Sequence, residues 1–377
     1  MNPLPAPPQP PPLPQAGERV YAAPDGHLHL SAVDGLRALA ALFVVAHHIH
    51  RTLWGTHSPP PGIRPFVSPL LYGHYAVSVF IVISGFCLML PVIRAGGVLR
   101  GGAARFFRRR AMRILPPYYC AIAFVALFTD HNISKNQMLA HVFLVHNLWP
   151  ATYIGINGAF WSIAVECQIY LLFPLLVLLW RRWGPMPTTL LAALAGYGGW
   201  YALRGSTHVG LTPHFLALFT LGMLGATIAS SPLARWRLWR ERPLWTAGAL
   251  VCAGALCAVN ALDGPRIEAS GWAGADAIAG LGTMCLLVVV SRPGPSVMQR
   301  LLSAPLLVWI GMFSYSLYLI HWPLLGIFYS YLHGRFHLGD APAVTAMFLI
   351  AVPLIVVIAQ RFYVICELPF IQRLKSL

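Results

Sequence analysis

Three ionisable side chains share one stripe of an apolar segment near the start of the chain. The segment DGLRALAALFVVAHHIHR carries Asp34, Arg37 and His48. Arg37 and His48 are eleven residues apart, which places them on one helical face to within roughly 20° and ~16 Å apart along the axis. At this distance they cannot satisfy each other as a core pair. Asp34 precedes Arg37 by three residues and can orient its side chain. We interpret all three as candidate catalytic residues, with the imidazole suited to proton transfer.

A carboxylate occurs at a similar depth in a second apolar segment. The run FWSIAVECQIYLLFP places Glu166 ~7 Å inside one edge of its segment, and His48 lies ~6 Å inside the corresponding edge of its own. A contact between the two would fix the imidazole tautomer and stabilise its cation, so Glu166 is a fourth candidate catalytic residue. In the alternative, Glu166 binds an arginine or backbone donors and is structural.

Clustered arginines precede a third apolar segment. In RFFRRRAMRILPPYY, Arg110 and Arg113 are neighbours on one helical face beside Arg109. Pro116 and Pro117 are expected to bend or restart the helix. Forked guanidiniums at a membrane surface suit a phosphorylated ligand, whereas the alternative is a simple topology signal.

Two further segments carry small and aromatic polar residues. FIVISGFCL places Ser84 in mid-segment, where a small side chain permits close helix approach, so packing is its preferred role. GMFSYSLYLIHWP places Tyr318 and His321 three residues apart, and Pro323 leaves a backbone carbonyl nearby without its helical partner. His321 either lines a cavity with the other candidates or is a core histidine bonded to a neighbour.

The elements that must position these residues are membrane-spanning helices. Of 377 residues, 57% are hydrophobic and 10% charged, and the mean hydropathy is +0.65, whereas soluble domains carry about 25% charged residues. The sequence therefore predicts an all-α polytopic membrane protein of about ten transmembrane helices. The ten predicted spans are 33–52, 70–93, 112–129, 160–180, 188–203, 212–230, 244–262, 272–291, 304–331 and 342–365.

The basic residues indicate orientation and not a nucleic-acid partner. The formal charge is +15, but nineteen of the 26 Lys and Arg residues fall in one alternating set of loops and six in the other. The positive-inside rule then places both termini in the cytoplasm. Residues 1–30 are predicted to be a Pro-rich disordered tail, inert or a docking segment, and residues 31–372 the transmembrane domain.

One outer loop, about 130–158, is rich in hydrogen-bonding and aromatic groups. It either contacts a sugar or other polar acceptor or forms part of an interfacial aromatic belt. The seven cysteines have neither zinc-ligand nor redox spacing, so we expect no metal. The polar and aromatic residues of the loop are His131, His141, His146, Asn147, Trp149, Tyr153 and Asn157.

These motifs, taken in order, resemble the acyltransferase 3 family of integral-membrane O-acyltransferases over nearly the whole chain, from about Ser31 to Phe370. Cys167 departs from the pattern, because a second glutamate is commoner there, and Glu166 is left as the only carboxylate of that motif. The motifs are Arg-x10-His (Arg37, His48), SGF (Ser84 to Phe86), RRxxRIxP (Arg109 to Pro116), WSxxxE (Trp161 to Glu166), SYSxYLxHxP (Ser314 to Pro323) and ExPF (Glu367 to Phe370).

The resemblance implies acyl transfer from a cytoplasmic acyl-CoA, expected to be acetyl-CoA, to a hydroxyl of a carbohydrate or glycoside acceptor. It implies that Arg37 and His48 are essential, in a multi-pass protein of the bacterial cytoplasmic (inner) membrane. No permanently bound cofactor is expected, and the partners are acyl-CoA, the acceptor and the lipid bilayer. On this interpretation Arg109, Arg110 and Arg113 bind the donor, and the substrate cavity is lined by Ser84, Trp161, Tyr315, Tyr318 and His321.

In the expected mechanism, His48 is a neutral general base that takes the acceptor proton while Arg37 positions the donor. An acyl-histidine intermediate is the open variant. The competing class is a transporter or flippase of a polysaccharide or lipid-linked sugar, because intramembrane Arg and His also build transport pathways. A transporter would show inverted repeats, which the sequence does not display.

Overall fold

The structure is a computed structural model that describes residues 20–22, 28–55, 57, 59–129, 132–204, 210–270, 272–294 and 296–375. Most of the predicted Pro-rich tail, residues 1–19 and 23–27, lies outside these ranges. Just before the first helix, strand β1 (Val20–Ala22) pairs antiparallel with strand β2 (Leu28–Leu30). The rest of the described chain is helical, which confirms the predicted all-α class.

The helices of the first half begin directly after β2. Short 3₁₀ turns at Ser68–Tyr72 and His146–Leu148 connect some of them. They are α1 (Ser31–Trp54), α2 (Arg64–Val67), α3 (His74–Arg94), α4 (Gly102–Phe128), α5 (Lys135–Val142), α6 (Pro150–Tyr153), α7 (Trp161–Trp183), α8 (Pro185–Ala202) and α9 (Phe215–Ser230).

The helices of the second half include two π-helical turns, Met347–Ala351 and Tyr363–Glu367, that interrupt the last long rod. They are α10 (Ala234–Arg240), α11 (Leu244–Ser270), α12 (Ala273–Val290), α13 (Val297–Leu302), α14 (Pro305–Met312), α15 (Ser314–Phe336), α16 (Asp340–Ala346), α17 (Val352–Phe362) and α18 (Leu368–Lys375).

All ten predicted spans fall on helices. Among the described residues, seven helices are long and apolar enough to cross a membrane, and the count is nine if each of two bent pairs is one span. The bent pairs are α9 with α10, at 102°, and α14 with α15, at 77°. The remaining predicted span, 188–203, corresponds to α8, an 18-residue helix that is not among those nine.

The proline pair in the third span does not restart the helix. Helix α4 runs from Gly102 to Phe128 through Pro116 and Pro117, so the basic run and the apolar span form one continuous element. Each proline removes one backbone hydrogen bond, but the flanking bonds hold the rod together. The arginines are therefore carried into the bundle on the first turns of a spanning helix.

Helices α3 and α9 form the closest helix pair of the core. A side chain at Gly85 would lie 2.0 Å from the Phe219 carbonyl oxygen, and one at Gly222 would lie 2.0 Å from the Val82 carbonyl oxygen. The two glycines thus let the backbones meet directly, as small residues do in membrane bundles. This seam fixes the rotation of α3 and turns the neighbouring Ser84 toward α7.

Candidate functional site

Two buried imidazoles meet between α1 and α15. His48 Nδ1 lies 2.7 Å from His321 Nε2, which is a hydrogen bond between residues 273 positions apart in the chain. His48 is 8% exposed and His321 is fully buried. The indole of Trp322 covers one side of the His48 ring at a centroid distance of 4.0 Å. His321 is thus a buried histidine bonded to a neighbour, as the second alternative expected, and it offers no surface to a substrate.

The local fold of α15 explains how His321 is held. Its Nδ1 lies 2.7 Å from the Tyr318 carbonyl and 3.2 Å from the Leu317 carbonyl. Pro323 has no N–H to offer the Leu319 carbonyl, and the Asn157 side chain donates to that carbonyl instead, at 3.0 Å. The carbonyl that the sequence predicted to lack its helical partner is thus satisfied by a residue of the outer loop.

Tyr318 has a packing role rather than a place in an open cavity. Its hydroxyl donates to the Ala159 carbonyl at 3.0 Å and lies 2.7 Å from the Ser162 hydroxyl, which ties α15 to the start of α7. Tyr315 donates to the Ile114 carbonyl of α4 at 3.2 Å. Both predicted cavity tyrosines thus direct their hydroxyls to neighbouring helices.

A second group of residues gathers toward the end of the bundle where α1 and α4 begin, here called the arginine end. Arg37 Nη1 lies 3.9 Å from Asp34 Oδ1, so the predicted i, i+3 pair forms. Arg37 and Arg110 interact electrostatically with each other and with Glu166. Arg113 lies within electrostatic reach of Arg110 and of the buried Glu367.

Arg110 is a candidate for binding an anion. Its Nε is buried and has no hydrogen-bond partner in the described part of the chain. A buried guanidinium nitrogen that lacks a partner is costly unless an acceptor fills the site. Arg109 and Arg110 are both half-buried, whereas Arg108 is exposed on the same helix.

Glu166 does not contact His48, and that prediction is wrong. Its Oε1 accepts a 2.6 Å hydrogen bond from Ser84 Oγ and a second, short bond from the Tyr170 hydroxyl. The predicted depths of His48 and Glu166 are positions along two helix axes, and they do not determine the rotation of α7 about its own axis. That rotation turns the carboxylate toward α3 and within electrostatic reach of two arginines, but its hydrogen bonds come from two hydroxyls and not from the arginine or backbone donors of the alternative.

Ser84 is part of this polar network rather than of the helix seam. Besides Glu166, its hydroxyl lies 2.5 Å from the Tyr170 hydroxyl. Gly85, the next residue, supplies the close approach that the sequence analysis assigned to this step. The packing role predicted for Ser84 thus belongs to Gly85, and Ser84 is a hydrogen-bonding residue.

Trp161 lies in a different cluster from His48. Its ring stacks on His74 at 5.7 Å, and Trp272 stacks on His74 at 5.1 Å. Asp276 Oδ2 accepts hydrogen bonds from His74 at 3.1 Å and from His214 at 2.9 Å. Asp276 Oδ1 accepts a further bond from Ser78 at 2.5 Å.

This Asp276 cluster (Ser78, His74, His214 and Asp276) was missed by the sequence analysis. Its residues come from the first five residues of α3, from the first turn of α12 and from the residue before α9, at the end of the bundle opposite the arginine end. A single aspartate in an apolar segment was the available signal, because a charge at such a place needs partners. Among the described residues, no cluster of His, Cys, Asp or Glu has metal-binding geometry.

The outer loop turns most of its polar side chains inward. His141, His146 and Asn147 are fully buried, and Asn157 is nearly so. Asn147 Nδ2 donates to Gln168 at 3.2 Å and to the Gly210 carbonyl at 3.3 Å. Of the residues proposed to meet an acceptor, Trp149 is exposed and Tyr153 half-buried, while His131 lies outside the described residues. The buried members are structural.

The glutamate of the ExPF motif near the end of the chain is also buried. Glu367 closes the second π-helical turn and accepts a 2.6 Å hydrogen bond from the Ser316 hydroxyl. This bond ties the final rod to α15 one turn before His321. The ExPF and SYSxYLxHxP motifs are thus parts of one contact.

Comparison with known proteins agrees with this architecture. A family model for the acyltransferase domain of the acyltransferase 3 family matches residues 30–360. Nodulation protein 10 of Rhizobium leguminosarum is 30% identical over 194 residues, which cover 46% of this chain and 50% of that protein. The peptidoglycan O-acetyltransferase OatA of Listeria monocytogenes is 28% identical over 189 residues, 45% of this chain and 28% of that protein.

A putative O-acetyltransferase of Staphylococcus aureus is 25% identical over 381 aligned positions, which cover 91% of this chain and 57% of that protein. The matched regions thus span only part of each relative. No solved structure matches this chain.

A multi-pass helical bundle with buried histidines and arginines is compatible with a membrane enzyme and with a transporter. With the family match, the class is that of membrane O-acyltransferases. The chain belongs to the acyltransferase 3 family, as its motifs predicted.

Proposed function

We propose that this protein transfers an acetyl group from acetyl-CoA to a hydroxyl of a carbohydrate or glycosylated acceptor at the bacterial inner membrane. The observation that carries the proposal is the imidazole of His48. Its residue is 8% exposed, and its Nδ1 lies 2.7 Å from His321 Nε2. The names of the relatives, O-acetyltransferases and a peptidoglycan O-acetyltransferase, support both the acetyl group and a glycan acceptor.

In this proposal the arginine end faces the cytoplasm and receives the donor. Arg110, with its unpartnered buried Nε, and Arg113 bind phosphate groups of coenzyme A, with Arg109 at the margin. Arg37, held near Asp34, positions the arm that leads to the thioester. A donor held at both ends reacts in an oriented encounter instead of a random collision.

The reaction itself needs one base. The acceptor hydroxyl oxygen attacks the thioester carbonyl carbon while His48 takes the hydroxyl proton. The carbon–sulfur bond then breaks, and His48 returns the proton to the departing thiolate, so the products are an ester and free coenzyme A. General-base assistance of this kind typically contributes ~10²–10⁴ in rate.

The experiment uses the full chain in lipid nanodiscs with acetyl-CoA and a tetramer of β-1,4-linked N-acetylglucosamine as the acceptor probe. We expect release of coenzyme A thiol and an acetylated sugar by mass spectrometry. His48→Ala should abolish both, while the protein unfolds at the wild-type temperature and still binds acetyl-CoA. His50→Ala, which removes another buried imidazole of α1, is the matched control.

Turnover by His48→Ala within tenfold of wild type would falsify the base role. A radiolabelled acetyl group retained on the wild-type protein without acceptor, and absent from His48→Ala, would replace direct transfer by an acyl-histidine intermediate.

A further inference from the structure

The hydrogen bonds around His321 define where its proton lies. Its Nδ1 faces two backbone carbonyls, at 2.7 Å and 3.2 Å, and a carbonyl oxygen only accepts hydrogen bonds. Nδ1 of His321 therefore carries the hydrogen. A neutral imidazole has a single N–H, so Nε2 of His321 carries a lone pair and accepts.

The position of the proton on His48 follows in the same way. Because His321 Nε2 accepts, His48 Nδ1 at 2.7 Å must donate and carries its own hydrogen. In neutral His48 the lone pair is then on Nε2, at the far side of the ring. A chain of two directed bonds, from a backbone carbonyl through His321 to His48, thus selects one of the two His48 tautomers.

We propose that His321 is a positioning residue that holds His48 in the tautomer with a basic Nε2, the atom that takes the acceptor proton. This inference rests on the proposed function, in which His48 is the base. It replaces the expectation that His321 lines the substrate cavity.

The burial of the two rings separates their roles. His321 has no accessible surface, whereas His48 keeps 8% of its own, so only His48 can meet a reactant. His321 is backed by its own helix, where Asn157 satisfies the carbonyl that Pro323 leaves open. The ring that sets the tautomer is therefore anchored in the bundle, and the Trp322 indole limits tilting of the ring that reacts.

Without the hydrogen bond from His48 to His321, kcat is expected to fall strongly. A base in the wrong tautomer presents an N–H where a lone pair is required, and removal of a tautomer-setting partner in the serine-protease triad lowers kcat by about 10⁴. Binding of the donor at the arginine end does not depend on the tautomer. The signature is thus a fall in kcat with an unchanged KM for acetyl-CoA.

Two amide variants provide a matched test. In His321→Gln, the side-chain amide reaches the position of Nε2, where its oxygen can accept from His48. In His321→Asn, the amide reaches only the position of Nδ1, so it can bond the carbonyls but leaves His48 without an acceptor. Both variants are neutral and hydrogen-bonding, which makes them closely matched in their effect on folding.

The experiment measures tautomer and turnover on the same nanodisc samples. Solid-state NMR of ring-¹⁵N-histidine protein reports which nitrogen of each imidazole is protonated, and the His48 signals are assigned by their loss in His48→Gln. Turnover is followed with acetyl-CoA and the N-acetylglucosamine tetramer, and thermal unfolding confirms that each variant is folded.

We expect wild type and His321→Gln to show His48 protonated on Nδ1. In His321→Asn we expect that signal to become mixed and kcat to fall ~10²–10⁴-fold, with the KM for acetyl-CoA within twofold of wild type. His48 protonated on Nε2 in wild type, or equal tautomers and equal kcat in the two amide variants, would overturn the inference.

The two proposals fail in different ways. If His48→Ala remains active, the base role itself is wrong, whatever the amide variants do. If His48→Ala is inactive while His321→Asn matches His321→Gln in spectrum and rate, only the positioning role of His321 is wrong. The NMR measurement decides the tautomer even where the acceptor probe is a poor substrate.

Discussion

Ser84 and Glu166 are joined by a 2.6 Å hydrogen bond between α3 and α7. This bond places the Glu166 carboxylate beside Tyr170 and within electrostatic reach of Arg37 and Arg110, instead of beside His48. The carboxylate therefore organises and partly neutralises the arginine end. Substitution of Glu166 should therefore affect activity differently from substitution of a carboxylate that takes part in the chemistry.

Glu166→Gln should leave kcat within about tenfold of wild type. The glutamine oxygen can still accept from Ser84 and Tyr170, and no chemical step in the proposed mechanism uses the carboxylate charge. Because a negative charge is removed next to two arginines, the KM for the anionic acetyl-CoA should fall, and this effect should shrink at high salt. Steady-state kinetics at two ionic strengths measure both. A kcat loss of 10²-fold or more would restore a chemical role for Glu166.

Arg110→Gln should raise the KM for acetyl-CoA about 10–100-fold with little change in kcat. The range corresponds to a hydrogen bond to a charged group, about 1.5–3 kcal/mol, and the buried Nε of Arg110 has no hydrogen-bond partner in the described part of the chain. Arg108→Gln, at an exposed position two residues earlier on α4, is the control and should be neutral. Equal effects of the two variants would point to general charge attraction rather than a site.

Asp276→Asn should destabilise the protein by about 3–5 kcal/mol, the typical result of removing one member of a buried ionic network. Asp276 is fully buried and accepts hydrogen bonds from His74, His214 and Ser78. Thermal unfolding in detergent measures the change. Asp340→Asn, at an exposed helix start, serves as the control. An unchanged unfolding temperature for Asp276→Asn would mean that the cluster is not needed for the fold.

The outer loop should make stability depend on pH. Burial and the nearby His141 lower the pKa of His146 from 6.5 to about 3, and the two rings stack at 3.9 Å. Between pH 6.5 and about 3 the unfolded chain binds a proton there that the folded chain does not. The His146 contribution to stability is therefore full above pH 6.5 and is lost as the pH falls, by up to about 1.4 kcal/mol per unit.

His146→Phe keeps a ring on His141 but removes the titration. Its unfolding temperature should consequently fall less than that of wild type between pH 7 and pH 5. His333→Phe, at an exposed position of α15, should follow wild type. If His146→Phe and wild type lose stability in parallel, the acid sensitivity has another origin.

Local and axial relationships were predictable from the sequence. All ten apolar runs fall on helices, and nine of them match candidate membrane spans, because length and hydropathy are properties of a single segment. The Asp34–Arg37 pair follows from i, i+3 spacing, and the need for a new partner at Leu319 follows from Pro323. These features involve neighbours on one helix, whose geometry is fixed by the α-helix itself.

Partners from different helices were not predictable in the same way. The depth of each residue along its helix axis predicted a contact between His48 and Glu166. The rotation of each helix instead brings His48 to His321. That rotation depends on packing between helices, such as the close approach of α3 and α9 at Gly85 and Gly222. Such packing cannot be read from the sequence of one segment. The Asp276 cluster likewise needs three helices to be assembled before its hydrogen bonds can be recognised.

The contact of α3 with α9 at Gly85 and Gly222 also limits how reactants can travel. Two backbones that meet without side chains between them form a closed wall. Neither a pantetheine arm nor a lipid tail can slip through on that side of the bundle. Any route from the arginines to His48 must therefore avoid the contact between α3 and α9 and run along another side of α3.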